Sequence, residues 1–506
     1  MYSGLGSRTI PPNAVMNGVD LKIQVDPKIQ VGLKTQVDLK TRYVTKWAGA
    51  RSMLDAHRVR LIKRYVVAVC LLRSVGAGSG YQQNPRRIRM EKVQKWKAAA
   101  GLVTGLAGLL ALSGPALAAD CPIKIGGLAP LSAPGSVTGG EAMRVAMLLA
   151  ERDINAAGGV LGCDIEVVIA DTEGLPEKAR ALMEKLITQD GVVAVGGGYH
   201  SSVGVAGKDI ANDRGIPVVF AETWNDTITG DKQKYIFRIA PLSSWASGVI
   251  WKFAAQAPGV KKVVIVTENT DYGIPAAAEC EKGLASKGIS STTFGVDIGT
   301  QDFAGIVERV KAENPDYLIV LLTGEAGFNY AQQAADAGVG PQDMMFHANQ
   351  SGLESKAFWE NVPDGNLSFM ARIGVPETMY NESALKMAND YKEQTGKTGV
   401  ESYALEAYDS IGVIAQAINE AGSTGGDAIV DALENISHEG TLGRIYFPYG
   451  TKKDPSADGK GDEWWHQWPD PAITMVQYQK EGEASNTMTI VYPDVYKTGD
   501  AIYVGH

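Results

Sequence analysis

With 506 residues the chain is long enough for about three average domains, and a composition of 45% hydrophobic and 21% charged residues is globular. The net charge of −9 conceals a division: residues 1–89 carry 16 Lys and Arg against 4 acids, whereas residues 119–506 carry 29 against 52. So acidic a body argues against nucleic acid as a partner.

The first 89 residues hold a crude repeat, LKIQVDPKIQVGLKTQVDLKT, and a short basic-apolar patch from Arg58 to Leu72, with no pattern for a core. Met90 then opens a cationic stretch, MEKVQKWK. The uncharged run Ala98–Leu112, a Gly114-Pro115 break and the small-x-small triplet Ala116-Leu117-Ala118 follow. That order predicts a secretory signal peptide over 90–118, cleaved after Ala118, and a periplasmic location. The apolar run of 15 residues is short for a membrane span. Asp120 stands before Cys121, where a lipoprotein signal needs a small residue. A signal peptide belongs at a chain start, so residues 1–89 are expected to reflect an upstream start-site choice or a long leader.

From Ile123 the chain alternates strand and helix. Strands are predicted at Ile123–Gly127 and Ile165–Ala170, with a helix over Gly140–Ala157 between them and another over Pro176–Gln189. The stretch Gly191–Asn225 holds two apolar runs, Val192–Val195 and Ile216–Phe220, around a helix over Ser202–Asn212. Each run ends in small or hydroxylated residues, GGGYHSS after the first and AET after the second. Parallel strands joined by a helix place both clusters outside the carboxyl ends of the strands, where ligands bind in open α/β sheets. Ser201 and Ser202 also open a helix, whose N–H groups and dipole favour an anion such as a carboxylate.

After Pro241 a second α/β run begins. It has a helix at Ser244–Gln256, strands at Val263–Thr267, Thr292–Val296, Tyr317–Leu322, Met344–His347 and Leu367–Arg372, and helices at Phe303–Glu313 and Gly327–Ala337. Long helices follow at Glu382–Thr395 and Ser402–Glu420, then Asp427–Glu434 and an alternating strand at Ala472–Gln479. Pro241, Val375-Pro376 and Phe447-Pro448 are the expected crossings between two lobes. Lobe 1 is thus expected from 119–241 and 375–447, and lobe 2 from 242–374 and 448–506.

GGGYHSS followed by IPVVFAET, together with IKIGGLAPLSAPGS and ERDINAAGGVLGCDIEVVIAD, resembles the periplasmic leucine/isoleucine/valine-binding proteins of ABC importers. The resemblance covers about 120–500. It implies the type I periplasmic-binding fold: two α/β lobes, each a parallel sheet flanked by helices, around a hinged cleft. By the same resemblance Ser201 and Thr223 hold a ligand carboxylate, and Tyr272 in DYG closes from the opposite lobe. Tyr199, His200, Ala221 and Tyr403 are matched to pocket positions. Gln350 departs from the pattern, because amino-acid binders of this family place Glu there against the ligand's ammonium. Glu222 or Glu325 could compensate, or the ligand could lack an ammonium. Ser201 read by itself is also an ordinary helix N-cap.

Other chemistries lack their residues. Gly196-Gly197-Gly198 does not give G-x-G-x-x-G, and the next strand ends in Phe220 rather than an acid. The six His show no metal-ligand spacing, and no nucleophile, base and orienting acid are matched. GDEWWHQWP over 461–469 concentrates three of nine Trp and reads as a loop folded onto the hinge, or as a lid or docking patch. Cys121 and Cys163 each precede a strand; parallel neighbouring strands bring them within bridging reach in an oxidising compartment, leaving Cys280 unpaired. The expected function is an extracytoplasmic solute receptor, not an enzyme. It binds a small polar ligand, a branched-chain-type amino acid first, and delivers it to ABC permease and ATPase subunits. It is expected to be monomeric and to need no cofactor or nucleic acid. The alternatives are a receptor for a short amide, urea or aromatic carboxylate, or a ligand-sensing module of the same fold.

Overall fold

A computed structural model describes residues 121–354 and 356–504, apart from the side chains of Gln350, Ser351, Lys356 and Ala357. The signal peptide and the extension before it lie outside the described residues.

Two sheets dominate. The first has the order β2-β1-β3-β4-β5 and is parallel throughout. Its strands are β1 (Ile123–Ala129), β2 (Ile165–Asp171), β3 (Ala194–Gly197), β4 (Val218–Phe220) and β5 (Ile236–Arg238). The second runs β14-β13-β10-β9-β8-β6-β7. Its strands are β6 (Lys262–Glu268), β7 (Ser290–Val296), β8 (Tyr317–Leu321), β9 (Met345–Asn349), β10 (Phe369–Ile373), β13 (Ile473–Gln477) and β14 (Thr489–Tyr492). Its first five strands in sequence repeat the doubly wound order of the first sheet, and β13 and β14 add antiparallel strands at one edge. The short pair β11 (His438–Gly440) and β12 (Gly443–Ile445) completes the strands.

Around the first sheet lie α1 (Val137–Ala156), α2 (Pro176–Lys185) and α3 (Ser201–Asp213), with a short α4 (Thr227–Gly230). α5 (Ser243–Gln256), α6 (Gly273–Ala285), α7 (Ala304–Glu313) and α8 (Glu325–Asp336) flank the second, with α9 (Gln350–Leu353) and α10 (Lys356–Asn361) after β9. α11 (Glu382–Thr395), α12 (Ser402–Ala421) and α13 (Gly426–Leu433) return to the first lobe. There α12 packs on α1 and lends Ile411, Ile414 and Ile418 to one core with Ile125, Met143 and Val219. β6 and β8, buried on both faces, read as continuous apolar runs, as parallel strands between helices should.

Ser136 caps α1 by accepting from Gly139 N. Asn381 does the same for α11 through Ala384 N. The Cys121–Cys163 disulfide is present, with Cα atoms 5.4 Å apart, because Ile123 and Ile165 are register partners. Cys280 is buried without a disulfide.

Three features differ from expectation. β3 begins at Ala194, since Gly191 ends the preceding helical turn in a left-handed conformation and Val192 and Val193 are still approaching the sheet. β5 was missed, being only three residues long. The third crossing is not at Phe447-Pro448 but after Trp468. Phe447 stacks edge-on against Phe237 at 5.0 Å, and residues 466–468 run beside β5, with Arg238 N donating to His466 O and Trp468 N donating to Arg238 O, both at 3.0 Å. Residues 448–468, expected with lobe 2, therefore attach to lobe 1. The Trp-rich segment is part of this attachment: His466 stacks on Phe237 at 3.8 Å, and Trp468 is buried in the first core.

Candidate ligand-binding cleft

The carboxyl ends of both sheets supply one cleft. The first lobe contributes Gly174 after β2, Tyr199 to Ser202 after β3, and Glu222 and Trp224 after β4. The second contributes Glu268, Thr270 and Tyr272 from the end of β6 onward, then Ile298, Thr323 and Asn349 after β7 and β8 and at the end of β9. Gly197 and Gly198 turn the chain off β3 with φ of 77° and 88°. A side chain at Gly197 would put Cβ 2.6 Å from Leu128 O, so the sharp turn and the close strand both require glycine there.

That turn delivers His200 as the N-cap of α3, with no side-chain cap bond. The first N–H groups of a helix have no partners within it, so α3 presents them uncapped. Ser201 is the first helical residue and not the cap. Its Oγ accepts from Trp224 N and Asn225 N, each at 3.1 Å. Both lone pairs are engaged, which leaves the hydroxyl hydrogen to donate. The Tyr272 hydroxyl likewise accepts from Asn349 Nδ2 at 2.5 Å and keeps its own hydrogen. Two hydroxyl donors from opposite lobes thus reach the same cleft.

The loop carrying Glu222 and Trp224 is held from beneath by Arg238. Its Nη1 donates to Thr223 O at 3.2 Å and Asn225 O at 2.5 Å, its Nη2 to Thr229 Oγ1 at 3.1 Å, and its Nε to Gln467 Oε1 at 2.6 Å. Burial lowers its pKa to about 10, and it remains a cation at neutral pH. Across the cleft, Glu268 accepts from Thr270 Oγ1 at 2.7 Å and from Thr323 N and Oγ1 at 2.9 and 2.8 Å, while burial holds its pKa above the ordinary carboxyl value. His200 is buried, and neither ring nitrogen has a hydrogen-bond partner among the described residues. Burial lowers its pKa to about 4, so it stands neutral, able to donate through one nitrogen and accept at the other.

The lobes touch over the cleft. Asp271 N donates to Ser202 Oγ at 3.1 Å, Asn225 Nδ2 donates to Asp271 O at 2.5 Å, and the Trp224 and Tyr272 rings meet edge-on at 5.9 Å. Of the residues expected at the site, Tyr199, His200, Ser201 and Tyr272 meet in the lining. Thr223 does not: it is fully buried beside Gly198 and Gly204, and its Oγ1 has no partner among the described residues. Ala221 lies behind the lining, its N–H donating to Gly197 O at 2.8 Å. Tyr403 supports the edge of Tyr199 at 5.6 Å from one layer further in. Gln350 opens α9, and its side chain lies outside the description. Glu325 is spent elsewhere, accepting from Thr138 N at 2.9 Å. Sequence reading passed over Glu268, Thr323 and Asn349. Their signal was their position at or just beyond the ends of apolar strands.

Residues 122–459 match the model of the Periplasmic binding protein family. The chain belongs to that family. The Leucine-, isoleucine-, valine-, threonine-, and alanine-binding protein of Pseudomonas aeruginosa is 29% identical to it over 335 residues, 65% of this chain and 87% of that one. The fold of this periplasmic binding protein is shared by two solved structures. One is the branched-chain amino acid transporter substrate binding protein of Streptococcus pneumoniae in complex with isoleucine, with a TM-score of 0.61 at 23% identity, covering 73% of this chain and 99% of its own. The other is a solute binding protein of an ABC transporter from Rhodopseudomonas palustris BisB5 in complex with 3,4-dihydroxy benzoic acid, with a TM-score of 0.63 at 20% identity, covering 76% and 98%. The two-lobed type I fold and the solute-binding role in ABC transport both follow from this membership. Among the described residues, no group of His, Cys, Asp and Glu could hold a metal ion, and no helix is long and apolar enough to cross a membrane.

Proposed function

We propose that this periplasmic binding protein captures a small amino acid of the branched-chain type and delivers it to the permease and ATPase of an ABC importer. The carrying observation is the uncapped start of α3 with the Ser201 and Tyr272 hydroxyls, which converge from opposite lobes as donors for one carboxylate. The names of the Pseudomonas and Streptococcus proteins support the amino-acid reading. The Rhodopseudomonas protein supports a second one, because an aromatic carboxylate would use the same donors.

Thr223 stays in this reading as the partner of Ser201, because its buried Oγ1 has no hydrogen-bond partner among the described residues and is left to donate to the carboxylate. Calorimetry with leucine and benzoate tests the carboxylate site. Ser201→Ala should weaken whichever of them binds by about 1.5–3 kcal/mol, the range for a hydrogen bond to a charged group. An unchanged affinity would place the carboxylate elsewhere. Delivery to a permease implies export, so N-terminal sequencing of the secreted protein should begin at Ala119; a mature chain that retains Trp96 would contradict it.

A further inference from the structure

Two rings in the cleft carry polar atoms that the protein itself does not answer. His200 and Trp224 both line it, and each is 5% exposed. Neither imidazole nitrogen, nor the indole Nε1, has a hydrogen-bond partner among the described residues. Both rings are nonetheless held in place. The imidazole lies 4.9 Å from the Tyr199 ring, tilted by 60°. Gly174 sits against its edge, where a Cβ would come within 2.9 Å of Cε1 and 3.1 Å of Nδ1. The indole meets the Tyr272 ring edge-on at 5.9 Å. The Trp224 backbone is pinned on both sides, its N donating to Ser201 Oγ at 3.1 Å and its O accepting from Ser243 N at 2.7 Å. Ser201 thus stands between the two rings, next to His200 in the chain and bonded to Trp224.

Buried donors and acceptors without partners are costly, and in a binding cleft a ligand that supplies the partners offsets that cost. The ligand's carboxylate is not their natural partner. In the reading above it already has the open N–H groups of α3 and the hydroxyls of Ser201, Thr223 and Tyr272. Nor can it serve the bare nitrogen of a neutral imidazole, which needs a donor. An ammonium serves that nitrogen but not the indole N–H. A hydroxyl serves both, because it donates one hydrogen and accepts through two lone pairs. Ile298 is the sole aliphatic residue of the described lining, so a purely hydrocarbon side chain finds little apolar surface there.

We propose that His200 and Trp224 read a hydroxyl on the body of the ligand, so that the cleft selects a hydroxylated ligand over the isostere that carries a methyl in its place. The inference rests on the ligand occupying this cleft, and it narrows the branched amino-acid reading to a side chain that is branched and hydroxylated at once.

Calorimetry on the full chain, refolded to remove carried-over ligand, tests it with two pairs in which a hydroxyl replaces a methyl: threonine with valine, and 4-hydroxybenzoate with 4-methylbenzoate. Threonine should bind at least about tenfold more tightly than valine, because a methyl leaves the buried nitrogens unmet. His200→Phe and Trp224→Phe should each cut that ratio at least about threefold. His200→Gln, which still donates and accepts, should retain more of the ratio than His200→Phe. Ser201→Ala should weaken threonine and valine alike and leave the ratio standing, since it acts on the carboxylate. Valine binding as tightly as threonine, or a ratio that survives both ring substitutions, overturns the inference; if Ser201→Ala still weakens valine, the carboxylate reading stands. Should His200→Phe bind neither amino acid, Trp224→Phe decides: an unaltered ratio overturns the inference and a reduced one upholds it. A preference for 4-hydroxybenzoate that depends on His200, with neither amino acid bound, upholds the inference and overturns the amino-acid reading. No binding of any of the four probes overturns both.

Discussion

A few side chains carry charge states in which burial is the largest influence. His347, on β9, is fully buried, with no partner for its Nδ1 among the described residues, and its pKa falls to about 3. Between its ordinary value near 6.5 and pH 3 the unfolded chain binds a proton that the folded chain refuses. Stability must therefore rise with pH across that window and be lost on acidification, at about 1.4 kcal/mol per pH unit for one such group. Asp409 works in the opposite sense: burial raises its pKa to about 6, so the folded chain holds the extra proton between the ordinary Asp value and pH 6. Comparing variants isolates one term from the other. Going from pH 7 to pH 5, His347→Leu should lose about 2 kcal/mol less stability than the parent in urea titrations. Parallel pH curves for the two proteins would show that His347 does not contribute.

At the scale of elements, the second lobe is tied to α12 by one buried ion pair. Glu354 accepts from Arg372 Nε at 2.7 Å, and from Ser402 N and Oγ at 3.0 and 2.8 Å, at the start of α12. Arg372 also donates to Ile373 O at 3.3 Å, Val375 O at 3.4 Å and Val400 O at 3.2 Å, which pins the crossing after β10. Both side chains are essentially inaccessible. Removing one partner strands the other charge, so Glu354→Gln should cost about 3–5 kcal/mol. The double variant Glu354→Leu/Arg372→Met should cost less than the sum of its two single changes, because it buries no unpaired charge. Additive losses in chemical denaturation would mean that the two side chains act independently. The disulfide joins the entries to β1 and β2 across a sequence separation of 42 residues. Cys163→Ala should cost up to about 4 kcal/mol in the chain-entropy picture.

On the scale of the whole molecule, two lobes joined by three crossings meet through a small set of bonds over the cleft. Ser202 accepting from Asp271 N is one of them. Its net worth is about 1 kcal/mol. Ser202→Ala should therefore shift the balance toward the open form and weaken the captured ligand about fivefold through closure. Small-angle scattering of the unliganded variant should report a larger radius of gyration than the parent. An unchanged radius with unchanged affinity would remove Ser202 from the closure mechanism.

How much of this was legible beforehand follows from the range of the forces involved. The βα alternation, the glycine turn after β3 and the disulfide pairing are local or nearest-neighbour matters, and periodicity with turn chemistry reveals them. Ser201, Tyr272 and His200 were also within reach, because the ends of parallel strands mark the ligand side of a sheet. The attachment of 448–468 to the first lobe was not, since it depends on His466 finding Phe237 some 230 positions earlier in the chain. Nor were the burial of Thr223 or the retreat of Tyr403 behind Tyr199. By itself the sequence determined which residues stand at the ends of the strands. Only the tertiary structure decided which of them face one another across the cleft, because charge pairing and desolvation depend on distances that the order of residues does not contain.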